Sequence, residues 1–300
     1  MKKTRHIITC IITLGVAALV QQASAATIDL GTAANFGILA GSKITDAGAA
    51  STIIGGDVGL SPATGANITG LTSVQVTGGG TIYTVDGAGG SGGVNNPGLL
   101  TTAKNDLTTA YGAASSAPQT INLGATAGAL DGLTLTAGVY GLGGAPQNLN
   151  GVLTLKGDAS SVFIFQCTSS LITGSGSKVV LLGGVNPCNV FWQVTSSATL
   201  GSGSTFVGTI LALTSITVDS GVTVDGKLLA QNAAVTLIND TITTDKICAA
   251  ATVPTSPGTV TGGGPGVPDS GSTVLLLGFG LGSLIVLRTI SRQSRLQAGC

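Results

Sequence analysis

The sequence predicts an all-β protein: a β-solenoid with one long helix packed alongside it. Segments in the second half of the chain repeat at an offset of 18 residues, which suits a coil of three short strands and three turns. The composition favours strands and tight turns, because 48 of the 300 residues are Gly and only 8% are charged. Helical periodicity is convincing in one stretch, at residues 97–115.

The repeat is clearest between residues 201–212 and 219–230. The aligned pairs are Thr205 with Thr223, Gly208 with Gly226, and Ala212 with Ala230. A second register aligns 165–177 with 192–204 at an offset of 27, which is one coil plus an insertion. In a stack of such coils, equivalent positions lie about 4.8 Å apart, and neighbouring coils bury each other's apolar faces.

A helix is predicted at residues 97–115, where Asn96 and Pro97 form an N-cap followed by proline in the first turn. Apolar residues then recur at helical spacing: Leu99, Ala103, Leu107, Ala110 and Ala114. Strands at 163–165, 208–212 and 226–230 are apolar on both faces, so both faces must be covered. The helix is the predicted cover.

One face of the repeat is predicted to be small, uncharged and periodic. Its outward side chains are Ser197, Thr199, Ser215, Thr217, Ala234 and Thr236. Such positions repeat at about 4.8 Å between coils and about 6.6 Å along a strand, which is close to oxygen repeats on planes of ice. Threonine methyls favour ordered water and hydroxyls anchor it, so this face is a candidate ice-binding surface. The simplest alternative is that threonine suits exposed strands.

The composition excludes other classes of function. Between residues 26 and 266 there are six Lys and eleven Asp but no Arg, His or Glu. Nucleic-acid binding needs a basic surface, and acid–base catalysis relies on His, Glu or Arg. We therefore expect no enzyme activity, no cofactor, no metal site and no nucleic-acid partner. Asp57 is interpreted as a turn residue that hydrogen-bonds its own backbone.

The N-terminus has the layout of a secretory signal peptide. Basic residues at 2, 3 and 5 precede an apolar run at 7–20 and the sequence Ala23-Ser24-Ala25. This run is shorter than the roughly 20 residues that a membrane span needs. We predict cleavage after Ala25 and an exported chain, with a solenoid domain at 26–250.

The C-terminus has three parts. A linker rich in Pro, Gly and Thr at 251–266 leads to Val267-Pro268-Asp269-Ser270-Gly271, an apolar run at 274–287 and a basic tail. Residues 267–300 resemble bacterial sorting signals of the PEP-CTERM type in their VPDSG variant. The resemblance implies a short transmembrane segment with the basic tail inside, an exosortase-like membrane protease, and delivery to the outer surface or the medium. A plain C-terminal anchor is the alternative.

Stretches from Ile28 to Thr243 resemble the ice-binding-like family of microbial secreted proteins. The matching stretches are 29–40, 55–62, 137–140, 163–166, 189–193 and 226–231. The resemblance implies an irregular right-handed β-solenoid of triangular section with a helix alongside. It also implies that the N-terminal segment returns beside the C-terminal coils and that one flat face adsorbs to ice. Some members carry a T-A/G-x-T/N pattern near that face, which makes Thr64 and Asn67 weaker candidates.

Two other classes of function remain as alternatives to a monomeric antifreeze protein that inhibits ice recrystallisation. A surface adhesin or structural solenoid would use the same fold to bind glycan or another cell. A polysaccharide-cleaving solenoid would need clustered carboxylates in a groove, and the sequence shows no such cluster.

Three cysteines remain once both ends are removed: Cys167, Cys188 and Cys248. Export favours a disulfide, and three thiols allow three single pairings. A Cys167–Cys188 bond is preferred, because it would tie the insertion to its own coil and stabilise the fold by about 3 kcal/mol. In the alternative, Cys167 is a small buried apolar residue.

Overall fold

The computed structural model describes residues 25–88, 92–124, 130–144 and 146–244. These residues form a parallel β-solenoid with one α-helix, α1 (Pro97–Ser116), packed on its side. Twenty-three strands lie in the described residues: β1 (Phe36–Ala40), β2 (Ile44–Asp46), β3 (Thr52–Ile54), β4 (Asp57–Leu60), β5 (Ile68–Thr69), β6 (Val76–Thr77), β7 (Ile82–Thr84), β8 (Val94–Asn95), β9 (Ile121–Gly124), β10 (Thr134–Leu135), β11 (Gly138–Leu142), β12 (Gln147–Leu149), β13 (Val152–Lys156), β14 (Phe163–Cys167), β15 (Leu171–Thr173), β16 (Lys178–Leu182), β17 (Val190–Val194), β18 (Ala198–Leu200), β19 (Thr205–Ala212), β20 (Ile216–Val218), β21 (Thr223–Ala230), β22 (Val235–Leu237) and β23 (Thr241–Thr243).

The strands form three stacks of parallel neighbours. The first stack, β8-β7-β4-β1-β21-β19-β17-β14-β11-β9, lies under α1. The second is β12-β15-β18-β20-β22-β2-β5, and the third is β10-β13-β16-β19-β21-β23-β3-β6. Strands β19 and β21 take part in both the first and the third stack, and each turns the corner at a glycine. A Cβ on Gly226 would lie 2.0 Å from the carbonyl oxygen of Gly208, so the close approach requires glycine there.

The sequence repeats correspond to strand pairing. β19 pairs with β21 so that Thr205 lies opposite Thr223 and Ala212 opposite Ala230, as the 18-residue offset predicts. The 27-residue offset likewise pairs β14 with β17. Equivalent side chains therefore stack through the core, most visibly as a run of aromatic rings. Neighbouring ring centroids in this run, Tyr140-Phe165-Trp192-Phe206, lie 5.3, 4.0 and 5.1 Å apart.

Helix α1 begins at Pro97, and the Asn96 side chain accepts a hydrogen bond from the Leu99 N–H at 3.1 Å. Its buried stripe is Leu100, Ala103, Leu107, Ala110 and Ala114. Leu99, predicted in this stripe, is half-buried, and Leu100 takes its place. The reason is geometric, since alternating steps of three and four residues keep side chains on a narrow line down a helix.

Polar side chains attach α1 to the first stack. Gln166 Nε2 donates to the carbonyl oxygens of Ala114 and Ala117 at 2.8 and 2.7 Å, and so satisfies acceptors that the helix C-terminus leaves open. Lys104 Nζ donates to the Ala230 carbonyl at 3.1 Å. Burial lowers the pKa of Lys104 to about 8.

The N-terminal segment lies beside the C-terminal coils, as the family resemblance implies. β2 pairs with β22 so that Thr45 lies opposite Thr236, and β3 pairs with β23 so that Thr52 lies opposite Thr241. We call this junction the seam. It joins chain segments roughly 190 residues apart and closes the stack without any covalent connection at that point.

Hydrogen bonds on both sides of the seam meet in one bond that crosses it, between Ser51 and Asp240. Asp46 Oδ2 accepts from the Ser51 N–H at 2.9 Å and from Gln75 Nε2 at 2.8 Å, while its Oδ1 accepts from Ser51 Oγ at 2.8 Å. Ser51 Oγ in turn accepts from the Asp240 N–H at 3.0 Å, and Asp240 Oδ1 accepts from the Val222 N–H at 2.8 Å. We call Asp46, Ser51, Gln75 and Asp240 the seam network. It links four consecutive coils.

The Asp57 carboxylate has a hydrogen-bond partner that the sequence did not predict. Asp57 begins β4, and its Oδ1 accepts from the Thr81 N–H at 2.9 Å, 24 residues away. Stacking explains the difference, because the neighbouring coil brings a backbone donor as close as the residue's own turn does.

The predicted Cys167–Cys188 disulfide is also wrong. Cys167 is a free, fully buried thiol, whereas Cys188 is disulfide-bonded, so the partner of Cys188 lies outside the described residues. Cys167 ends β14 and lies opposite Val194, which is six residues beyond Cys188. Cys188 lies before β17 begins at Val190, and the four residue steps from Val190 to Val194 alone span roughly 13 Å, whereas a disulfide needs Cα atoms within about 7 Å.

Among the described residues, no helix has both the length and the apolar character needed to cross a membrane. The predicted signal peptide, the linker and the apolar run at 274–287 lie outside the described residues.

We predict that iodoacetamide at pH 8 leaves Cys167 unmodified in the native protein and modifies it after denaturation. Burial raises the pKa of this thiol to about 12 and removes it from solvent, so the reactive thiolate does not form. Mass spectrometry of the alkylated peptides measures both states. Cys188 should become modified only after reduction, and a native peptide linking the two cysteines would contradict the structure.

The seam network also predicts a pH dependence of stability. Burial and repulsion from Asp46 raise the pKa of Asp240 to about 6, from 3.8. The folded state therefore binds a proton more tightly than the unfolded state, so the free energy of unfolding should increase as the pH falls from 7 to 5. Urea denaturation at each pH measures this. Asp240→Asn should abolish the increase over that range, and an unchanged slope in this variant would assign the effect elsewhere.

Candidate functional site

The second stack presents a straight row of five threonines. In β18, β20, β22 and β2 the middle of three residues faces outward between buried neighbours, and in the two-residue strand β5 the second residue faces outward. These residues lie opposite one another across successive strands. We call these residues the threonine row: Thr199, Thr217, Thr236, Thr45 and Thr69. With strands about 4.8 Å apart, the row is about 19 Å long.

Buried apolar side chains pack against the inward side of the strands that carry the row. The inward residues on either side of the predicted threonines are fully buried: Ala198, Leu200, Ile216, Val218, Val235 and Leu237. Backbone hydrogen bonds hold each strand on both sides, and close packing holds the interior. The outward side chains are thus fixed in position before any contact with a partner.

A parallel flanking row lies two residues before each threonine. Its members are Ser197, Ser215, Ala234, Lys43 and Asn67. Ser197 Oγ lies 2.9 Å from Ser215 Oγ and 2.7 Å from Thr214 Oγ1, so hydroxyls of adjacent coils fix each other's orientation. The predicted strands of this face are uncharged, but β2 adds the exposed side chain of Lys43 next to Ala234.

The ends of the threonine row differ in character. At one end Ile172 lies opposite Thr199 and is 39% exposed, which continues the row with an apolar side chain. At the other end Thr69 Oγ1 donates to Thr45 Oγ1 at 3.4 Å. Both weaker candidates lie at this end: Asn67 Nδ2 is 3.3 Å from the carbonyl oxygen of Thr64, and both residues are exposed.

The structure brings Thr45 and Thr69 into the row, and the sequence analysis missed them. Their local sequences, Ile44-Thr45 and Ile68-Thr69, have the same aliphatic–threonine order as Ile216-Thr217. This shared order is the sequence feature that marks them. It does not place them in the row, because these segments keep no fixed offset from the 18-residue repeat.

The third stack carries a second threonine row. Thr205, Thr223, Thr241 and Thr52 lie opposite one another on β19, β21, β23 and β3. The adjacent positions are more mixed: Asp225, Thr243, Ile54 and Thr77, together with Val207, which is buried. A half-buried carboxylate therefore lies beside the second row, as Lys43 lies beside the threonine row of the second stack.

Comparisons with known proteins agree with this architecture. Residues 38–243 match the family model described as ice-binding-like, and residues 266–291 match the VPDSG-CTERM motif. An ice-binding protein of Nostoc sp. (strain HG1) is 42% identical over 268 residues, which cover 88% of either chain. One from Flavobacterium frigoris (strain PS1) is 40% identical over 218 residues, covering 72% of this chain and 76% of that protein.

Solved structures show the same fold. The crystal structure of an ice-binding protein from an Antarctic biological consortium aligns with a TM-score of 0.63 and 36% identity, covering 74% of this chain and 93% of that one. An Arctic yeast ice-binding protein, whose structure was solved to explain its antifreeze activity, aligns with a TM-score of 0.65 and 31% identity over 72% and 94%. The expected resemblance is confirmed, and the chain belongs to the ice-binding-like family.

Proposed function

We propose that this protein adsorbs to ice through the threonine row and thereby inhibits ice growth and recrystallisation. The observation that carries the proposal is the alignment of five threonines on consecutive hydrogen-bonded strands. The flanking row, with Ser197, Ser215 and Ala234, widens the same surface.

The geometry suits contact with an ordered solid. The threonines repeat at about 4.8 Å along the row, and the flanking row lies about 6.6 Å away along each strand. Methyl groups favour ordered water around them, and hydroxyls hold that water by hydrogen bonds. Each contact is weak, but a rigid array loses little conformational entropy on binding, so the contacts act together.

Two features favour this face over the second threonine row. The row has five members rather than four, and three of its five flanking residues are the small side chains of Ser197, Ser215 and Ala234. Each face has one charged residue beside its threonines, Asp225 on the third stack and Lys43 on the second, so charge does not separate the two faces.

The relatives support the activity itself. Proteins that are 42% and 40% identical to this chain are named ice-binding proteins, and antifreeze activity is stated for the Arctic yeast protein. The sorting motif supports export to the cell surface. We propose that an exosortase-like membrane protease cuts near this motif, that the apolar run anchors the chain only transiently, and that the product is a monomer without enzyme activity.

We predict that Thr217→Tyr lowers thermal hysteresis at a given concentration about tenfold, because many weak contacts must form together on a flat surface. Thr217 lies second in the row, and a protruding ring would lift its neighbours away from a flat solid. Thermal hysteresis and crystal shape measured on a nanolitre osmometer test this. The matched control is Thr223→Tyr, the same substitution in the same coil on the third stack, and it should retain full activity.

The two variants together identify the binding face. Loss of activity in the Thr223→Tyr protein alone would move the ice-binding surface to the second threonine row. Should the folded wild-type protein leave ice growth unchanged at millimolar concentration, ice binding itself would be refuted, and an adhesin with this fold would become the better hypothesis.

A further inference from the structure

We propose that Asp46 and Ser51 are positioning residues of the ice-binding face. They fix the register of the N-terminal strands against the C-terminal coils, and so decide whether the five threonines form one continuous row. This inference rests on the proposed ice-binding function and adds to it the residues that assemble the site.

The threonine row is a composite of two distant chain segments. Thr199, Thr217 and Thr236 belong to sequential coils, whereas Thr45 and Thr69 come from the N-terminal segment and meet them only at the seam. Within the sequential coils, short connecting turns fix which residues face each other. No such connection exists between Thr236 and Thr45, so interactions across the seam alone must set their alignment.

Apolar packing excludes some slips of this alignment but not others. The pairing of β2 with β22 involves three residue pairs, and their alternation of inward and outward side chains is unchanged by a shift of two residues. A slip of one residue would turn Thr45 inward and its neighbours outward, which burial of one face opposes. A slip of two residues would keep Thr45 outward but shift it about 6.6 Å along the strand, out of line with Thr236.

Asp46 restricts the alignment because it holds the Ser51 side chain in one orientation. Asp46 lies opposite Leu237, at the inward position that Leu200 and Val218 occupy in the preceding coils. Although it is a carboxylate, only 2% of its surface is exposed. A buried carboxylate there costs more free energy than an aliphatic side chain unless all its hydrogen bonds form. They form here with Ser51 of the same coil and Gln75 of the next N-terminal coil, so Asp46 fixes the Ser51 side chain and acts across the seam through it. Buried polar groups of this kind are best known for specifying register.

Ser51 carries the constraint across the seam. Its fully buried hydroxyl donates to Asp46 Oδ1 and accepts the backbone N–H of Asp240 at 3.0 Å. The N-terminal coil is thereby bonded to the last C-terminal coil at the turn between the second and third stacks. This Ser51–Asp240 hydrogen bond is adjacent to the Thr52–Thr241 pair of the second threonine row. It therefore aligns both threonine rows at the seam.

The test is Asp46→Leu, which places in β2 the residue found opposite it in β22. We expect a folded protein whose thermal hysteresis falls about tenfold, because three aligned threonines remain instead of five. Circular dichroism and thermal denaturation verify folding. Ice activity is measured near 0 °C, far below the unfolding transition, so a modest loss of stability alone leaves it unchanged.

Two further variants separate positioning from general stability. Leu153→Ala makes a cavity in the core at β13 of the third stack, away from the seam and from the threonine row, and should lower stability with full activity near 0 °C. Asp46→Asn keeps an acceptor oxygen for Ser51 and should recover most of the activity lost in Asp46→Leu. If Asp46→Leu does not fold, Ser51→Ala decides the question, since it removes only the hydroxyl link and should also lower activity.

The outcomes are distinct. Wild-type activity in folded Asp46→Leu, or in folded Ser51→Ala if Asp46→Leu does not fold, would overturn the inference and leave the proposed function intact. Equal losses in Leu153→Ala and Asp46→Leu would also overturn it, because both would then act through stability. An inactive wild-type protein would instead refute ice binding, and hydrogen exchange in β2 and β3 would still report whether Asp46 sets the register.

Discussion

In-register parallel pairing between coils is the constraint on which the rest of this structure depends. Each coil repeats the backbone path of its neighbour, so a residue type chosen at one position is displayed as a line along the whole stack. Inside, this gives the aromatic run through Phe165 and Trp192. Outside, it gives the threonine row. Core and functional surface are thus two results of the same backbone geometry.

The low charge of the chain follows from this arrangement. Inward positions need aliphatic side chains, corners need glycine, and the outward positions of the second stack carry small hydroxyl groups. Buried polar residues appear where different parts of the fold must be joined. Gln166 holds the end of α1, and Asp46 with Ser51 holds the seam. These contacts are specific because a buried polar group is stable only when its hydrogen-bond partners are correctly placed.

Sequence reasoning succeeded where the structure is periodic and failed where it is not. The offsets of 18 and 27 residues were sufficient to predict which residues pair in β14, β17, β19 and β21. Thr45 and Thr69 were missed because their coils have other lengths and enter the stack from the far end of the chain. The predicted Cys167–Cys188 pairing is wrong for a related reason. The two residues are close along the chain, but Cys167 lies opposite the far end of β17, so the length of this strand separates it from Cys188.

The composite origin of the threonine row matters because adsorption to a solid depends on simultaneous contacts. Independent weak contacts add in free energy, so residence on the surface grows exponentially with the number that engage together. Three threonines in line and two out of line would therefore bind far less well than five in line, although every side chain is still present. Alignment across the seam is worth as much to such a surface as the residues themselves. This gives a physical reason for a costly buried carboxylate at Asp46, where the three preceding coils place leucine or valine.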